Sequence, residues 1–142
     1  MNDKRKIRIG VTDIALLVLC AVLLIGTLTF LTPCGPKEDG SWMTCHWAGQ
    51  TSMALAAVLL TLAVMHAAVP MGGAKLGIDL AVLPAAVLAS QVPGRVIGMC
   101  MMETMRCRAV MRPGVTVLAV LIAAATAWDL VLRLKAGKTH EV

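Results

Sequence analysis

The chain has 142 residues, 58% of them hydrophobic, and a mean hydropathy of +0.82. A soluble domain is rarely more than about half apolar, so the composition indicates a membrane protein. The sequence has no Tyr, one Phe and three Trp, which argues against an aromatic platform for stacking bases. We attribute the net charge of +5 to Lys and Arg at the ends of membrane spans, not to nucleic-acid binding.

The first element is an apolar run at residues 14–32, preceded by a basic segment that ends at Arg8. A secretory signal has an apolar region of about 7–15 residues and then a small-residue cleavage site. This run is longer and reaches Pro33 without such a site. We therefore predict a retained first span that ends before Pro33, because the residue before a proline disfavours helix.

Three further apolar segments are predicted to span the membrane, at residues 47–69, 75–97 and 114–134. A span needs about 20 residues, so four spans use nearly the whole chain and predict one membrane domain over residues 1–142. The predicted fold class is all-α, a bundle of four transmembrane helices with two short Cys-containing outer loops. The third span contains Pro84 and ends at residues 94–98, where two glycines have the small-xxx-small spacing of closely packed membrane helices.

The two outer loops contain four of the five cysteines: Cys34, Cys45, Cys100 and Cys107. Of the thirteen Lys and Arg residues, eight lie on the side of the termini and five on the side of these loops. This bias, led by the N-terminal basic cluster, predicts that both termini are cytoplasmic in a bacterial cytoplasmic membrane. The cysteine loops would then face the oxidising side, where disulfides persist.

Several uses of these thiols are compatible with the sequence. Local pairing, Cys34 with Cys45 and Cys100 with Cys107, would staple each loop and is our first expectation, although pairing between the loops is also possible. The layout resembles the DsbB-type enzymes, in which two loop pairs pass electrons to quinone. The Cys-x-x-Cys spacing of reactive dithiols is, however, missing.

A third use is the binding of Cu(I), because thioether and thiolate ligands select this soft ion. The candidate ligands besides the cysteines are His46, Met101, Met102 and Met105. Methionine is also an ordinary gap-filling residue, and no Cys-x-x-Cys or His-x-x-x-His spacing indicates a closed site.

Ionisable residues inside spans are candidates for function, and here they are His66, Asp79 and Asp129, with Asp13 at the start of the first span. We assign Asp13 and Asp79 to helix N-termini, where negative charge is favourable. Asp129 and Arg133 are four residues apart and can pair on one helix face. The remaining residue, His66, is a candidate to hydrogen-bond Asp79 or Asp129, to relay a proton or to bind a ligand.

Three clusters carry a resemblance to a known family: Pro33-Cys34-Gly35, Cys45-His46-Trp47 and Cys100…Met105-Arg106-Cys107…Pro113. Over essentially its whole length the chain resembles a family of small bacterial four-span membrane proteins of unassigned function. The resemblance implies a place beside ABC exporters of the FtsX/MacB permease type. It brings no catalytic residues, and the sequence has no Walker A motif, nucleophile elbow or zincin helix.

These observations predict a non-enzymatic accessory or interaction subunit, related to transport, with disulfide-stapled extracytoplasmic loops and no cofactor. Its expected partners are the lipid bilayer and an ABC-type permease. The alternatives are a DsbB-like thiol–disulfide oxidoreductase that uses quinone and a Cu(I)-handling membrane protein.

Overall fold

The computed structural model describes residues 10–139 and is built from four long helices. They are α1 (Val11–Thr29), α2 (Thr44–Ala68), α3 (Gly72–Gln91) and α4 (Arg112–Thr139), the last preceded by a π-helical turn (Cys107–Met111). The described part contains no β-strand, so the predicted all-α four-helix bundle is confirmed. The basic N-terminal residues used to predict the orientation lie outside the described residues.

Each helix is long and apolar enough to cross a membrane. Only 28–33% of the most apolar window of each helix is buried inside the bundle. The remaining surface carries exposed Val, Leu and Ile side chains along the helices, which suits contact with lipid. The chain is a multi-pass membrane protein.

The helices form a closed ring of neighbours. Helix α1 packs against α2 and α4, and α3 packs against the same two helices. Residues at the start of α1 contact residues at the end of α2, the start of α3 and the end of α4, so consecutive helices run in opposite directions. The start of α1, the end of α2, the start of α3 and the end of α4 therefore lie together, at what we call the charged end. The opposite end holds the four loop cysteines and is called the thiol end.

One stripe of each helix is buried, with a spacing of three or four residues. In α2 the stripe consists of Cys45, Ala48, Gly49, Ser52, Ala56, Leu59, Ala63 and His66. Small residues dominate its middle and let the helices approach closely. The same stripe begins with a thiol at one end of the bundle and finishes with an imidazole at the other.

The third helix ends at Gln91, six residues before the predicted end of the span. Pro93 has no N–H to continue the helix, and Gly94 adopts a left-handed φ of +100° that favours glycine. A tight turn follows, in which the Gly94 N–H donates to the Ile97 carbonyl at 3.1 Å. The two glycines at 94 and 98 thus lie outside the helix, and their predicted role in helix packing was wrong.

The segment after α1 folds back onto the bundle at the thiol end. A Cβ atom on Gly49 of α2 would lie 2.7 Å from Cγ of Pro33, so only glycine lets the proline ring approach so closely. The side chain of Leu31 is buried and reaches α4 at Gly114, where a Cβ atom would lie 2.5 Å from it. This packing carries Cys34, the residue after Pro33, toward the other helix ends.

Gly49→Ala should destabilise the bundle. The added methyl group overlaps the Pro33 ring, and overpacking of this kind costs about 1–3 kcal/mol. The matched control is Gly77→Ala in α3, where a Cβ atom meets nothing within 4 Å and alanine should gain up to about 1 kcal/mol of helix propensity. Thermal unfolding in detergent measures both, and equal melting temperatures for the two variants would contradict this packing.

Candidate functional site

Four cysteines from separate parts of the chain meet at the thiol end. Cys34 lies in the α1–α2 loop, Cys45 in the first turn of α2, Cys100 in the segment after α3 and Cys107 at the start of the π-helical turn. Cys45 and Cys107 are fully buried, whereas Cys34 and Cys100 are partly exposed. The fifth cysteine, Cys20, is buried in the middle of α1.

The four sulfur atoms form one compact cluster. The Sγ atoms of Cys34 and Cys107 are 3.6 Å apart, those of Cys45 and Cys100 are 3.4 Å apart, and all four lie within 4.8 Å of one another. Every cysteine is a free thiol, whereas a disulfide joins its sulfurs at about 2.05 Å. The disulfides expected from the sequence therefore stay a prediction. Both of these close contacts join the two loops, and Cys100 also hydrogen-bonds Cys107, its partner within the second loop.

The cluster has the dimensions of a tetrathiolate metal site. Four sulfurs bound tetrahedrally at about 2.3 Å from Zn²⁺ are separated from one another by about 3.8 Å. The 3.4 and 3.6 Å separations are within a few tenths of an ångström of that value, and the other sulfur pairs are no more than 4.8 Å apart. Four cysteine sulfurs are also the ligand set that selects soft or borderline cations.

The π-helical turn follows from the local sequence. Pro113 has no N–H, and its ring would clash with the carbonyl of Ala109 in a regular α-helix. The chain instead opens into a wider turn, in which the Arg112 N–H donates to the Cys107 carbonyl. Such single wide turns are frequent at functional sites, and here the turn begins at a cluster thiol.

Thiolate formation in the cluster needs a compensating charge. Burial raises the pKa of Cys100 to about 12, and hydrogen bonds to Cys107 and Cys45 contribute to the rise. Without a cation Cys100 therefore remains a thiol at neutral pH, whereas a bound metal would favour the thiolate form. Arg106 and Arg108 flank Cys107 in the sequence, and their positive charges suit a site of four thiolates.

A groove rich in methionine lies beside the cluster. It has a volume of about 390 Å³ and is lined by Lys37, Trp42, Met43, Thr44, Cys100, Met101, Met102 and Met105. The Met43 Sδ atom is 3.8 Å from the Cys100 Sγ atom, while the Met101 side chain is 95% exposed. The three methionines predicted as ligands thus line the approach to Cys100.

His46, the other candidate ligand, has different partners. Its ring stacks on Trp42 with the ring centres 4.0 Å apart, and it meets Trp47 edge-on at 5.5 Å. Within residues 10–139, the groups of side chains that could hold a metal do not include His46.

A second cluster, the charge cluster, occupies the charged end and draws on all four helices. Its members are Asp13 of α1, His66 of α2, Lys75 and Asp79 of α3, and Asp129 and Arg133 of α4. The His66 Nδ1 atom is 2.8 Å from Asp13 Oδ1. Its Nε2 atom is 3.0 Å from Asp79 Oδ1 and 3.4 Å from Asp129 Oδ2.

Two cations complete the charge cluster. Lys75 Nζ donates to Asp13 Oδ2 at 2.8 Å. Arg133 Nε is 2.6 Å from Asp129 Oδ2 and 3.5 Å from Asp79 Oδ2, so the predicted pairing of Asp129 with Arg133 is present. Thr12 supports it by donating its hydroxyl to Asp129 Oδ1 at 3.0 Å.

The two aspartates assigned to helix N-termini differ. Asp13 accepts the Gly10 N–H at 2.8 Å and so does cap α1, in addition to its contacts with His66 and Lys75. Asp79 lies seven residues into α3 and is fully buried, so its assignment to a helix N-terminus was wrong. The burial of Asp79 could have been predicted from the three- and four-residue spacing that places it on the same face of α3 as Val82 and Ala86.

Comparison with known proteins gives a family for the chain. Residues 16–132 match the family described as Domain of unknown function (DUF4418). No curated protein and no solved structure gives a significant match. The matched range includes α2 and α3 in full and most of α1 and α4, with both clusters apart from Asp13 and Arg133. The chain therefore belongs to the DUF4418 family.

Proposed function

We propose that this chain is a non-enzymatic membrane protein whose thiol end binds one soft metal ion through Cys34, Cys45, Cys100 and Cys107. One observation carries the proposal: four free thiols from two loops have their sulfurs within 4.8 Å of one another. Disulfide staples within each loop would not require the two loops to meet. A shared metal does require it, because one ion binds all four sulfurs.

The thiol–disulfide oxidoreductase is a weaker alternative. The 3.4 and 3.6 Å separations are compatible with exchange between two pairs. Reactive dithiols, however, commonly have the Cys-x-x-Cys spacing, which this chain lacks, and burial raises the pKa of the Cys100 thiol. A metal-binding role uses the same geometry and supplies the charge that the thiolates need.

The four-thiolate site suits a metal ion that stabilises the fold. A closed set of four thiolates is the usual ligand set of structural Zn²⁺, and binding free energy at such a site contributes to folding. The ion would tie the α1–α2 loop to the segment before α4. The methionine-lined groove beside Cys100 favours Cu(I) as the second candidate, because thioethers are ligands of that ion.

The metal-bound thiol end would form the outer face of an accessory subunit in the bacterial cytoplasmic membrane. The excess of Lys and Arg on the side of the termini supports cytoplasmic termini and an outward thiol end. A rigid outer surface suits recognition of a membrane partner, since it needs little ordering on binding. The family resemblance noted above suggests an ABC-type permease as that partner.

Protein purified from membranes without chelator should contain one metal ion per chain, measured by elemental mass spectrometry. Cys45→Ser and Cys107→Ser should lose it, since each removes a buried ligand. Cys20→Ser is the control and should retain the metal, because Cys20 lies mid-span in α1. Replacement by Co²⁺ should give the absorption bands of a tetrahedral thiolate complex. Failure of the reduced wild-type protein to bind Zn²⁺, Co²⁺ or Cu(I) would contradict the proposal.

Mild oxidation of the metal-free protein should link the two loops. The Sγ atoms of Cys34 and Cys107 and those of Cys45 and Cys100 are in contact across the two loops, so we expect these disulfides to form first. Peptide mapping by mass spectrometry without reductant identifies the pairs. Exclusive linkage of Cys34 to Cys45 and of Cys100 to Cys107 would instead support staples within each loop and would contradict the described cluster.

A partner subunit should be recovered when the tagged chain is extracted in mild detergent from its native membrane. We expect an ABC-type permease in the purified complex, and we expect Cys45→Ser to reduce its recovery by disordering the outer face. Gly77→Ala, which changes an open site on α3, is the matched control and should keep the partner. Recovery of the chain alone, with its metal in place, would exclude the accessory role while leaving the metal site intact.

A further inference from the structure

The charge cluster is independent of the thiol end and has an unusual composition. Six ionisable side chains from four helices meet in one buried site. His66 and Asp79 are 0% exposed, Asp13 is 1% exposed, and even Lys75 is only 6% exposed. Ionisable groups inside membrane spans are costly unless their charges are balanced by partners.

The charges of the cluster do not balance on their own. Three ionised aspartates carry three negative charges, and Lys75 and Arg133 carry two positive charges. With a neutral His66 the sum is −3 + 2 = −1. A single uncompensated charge inside a membrane bundle costs several kcal/mol. One additional proton brings the sum to zero.

The geometry around His66 also requires one more proton. Both ring nitrogens face carboxylate oxygens, Asp13 Oδ1 at 2.8 Å and Asp79 Oδ1 at 3.0 Å. A neutral imidazole has a single N–H, so one of the two contacts would place a nitrogen lone pair against an ionised carboxylate. An added proton on the ring, or on Asp79, replaces that repulsion with attraction in both contacts.

We propose that the charge cluster is a proton-binding site, in which one proton is held between His66 and Asp79 and joins α2 to α1 and α3. The groups that face His66 are Asp13, Asp79 and Asp129, from the other three helices. Release of the proton restores the net charge of −1 and weakens the mutual attraction of the helices at the charged end.

A metal ion fits the cluster less well than a proton. His66, Asp79 and Asp129 could together offer three ligands. The Oδ2 atom of Asp129, however, already contacts Arg133 Nε at 2.6 Å. A divalent ion would also leave the cluster at a charge of +1, and the 3.0 Å contact between His66 and Asp79 leaves no room for an ion between those two atoms.

Charge-balancing variants test the proposal. His66→Gln removes the proton carrier and leaves the cluster at −1, so the melting temperature in detergent should fall. Adding Asp79→Asn restores a sum of zero and should recover much of that loss. Ser52→Ala, which changes a buried side chain of α2 outside the cluster, is the control, and its effect on the melting temperature should be the same with and without Asp79→Asn. Additive losses in the double variant would overturn the proposal.

Direct observation of the proton covers the case in which these variants do not fold. The unmodified protein, with its histidine rings labelled with ¹⁵N, is studied by solid-state NMR in bilayers at pH 7. There are three histidines, and His46→Gln helps to assign the His66 signals. We expect two protonated ring nitrogens, or one with Asp79 in its acid form in a carboxyl ¹³C spectrum.

Two results would overturn the proposal in that experiment. One is a His66 ring with a single N–H together with three ionised aspartates. The other is a change of the His66 signals when divalent cations are chelated from the Cys45→Ser variant, which lacks the thiol-end metal, since that would show a metal in place of the proton. Signals that are unchanged by chelator, with one extra proton in the cluster, would support it.

Discussion

The ionisable groups that these helices bury within the bilayer need partners inside the bundle, because lipid offers none. This constraint explains the buried stripes. In α2 small apolar residues fill the middle of the stripe, while Cys45 and His66 occupy its two ends. The stripe of α3 begins with Lys75 and Asp79 and continues with Val82, Ala86 and Ala89. The polar and thiol side chains of these stripes are therefore gathered in two internal sites, one at each end of a close-packed and apolar centre.

The two sites are separated by about the thickness of the membrane. Cys45 and His66 are 21 residues apart on α2, which corresponds to about 30 Å at 1.5 Å per residue. The hydrocarbon core of a bilayer has the same thickness of about 30 Å. The thiols therefore lie near one interface, where a metal from the aqueous phase can reach the partly exposed Cys34 and Cys100. The charge cluster lies near the other interface and holds its four helices together from within.

The sequence predicts the four spans and places the four cysteines on one side, because hydropathy and loop order determine both. It does not predict that the thiols of two loops converge. That convergence depends on Pro33 packing on Gly49 and on the wide turn before Pro113, contacts that no local pattern reveals. The end of α3 was misplaced because Val96 and Ile97 continue the hydrophobic run beyond Pro93 and Gly94. Asp79 was assigned to a helix N-terminus because it is near the start of the span. Its partners depend instead on its position in the buried stripe of α3.

X-ray absorption spectroscopy at the metal edge, on protein purified from native membranes, tests the central claim most directly. It reports the identity, number and distance of the atoms bound to the metal. The described cluster predicts four sulfur neighbours at about 2.3 Å for Zn²⁺ and no nitrogen or oxygen ligand. A metal bound mainly by nitrogen or oxygen, or protein that contains no metal and binds none when reduced, would contradict it.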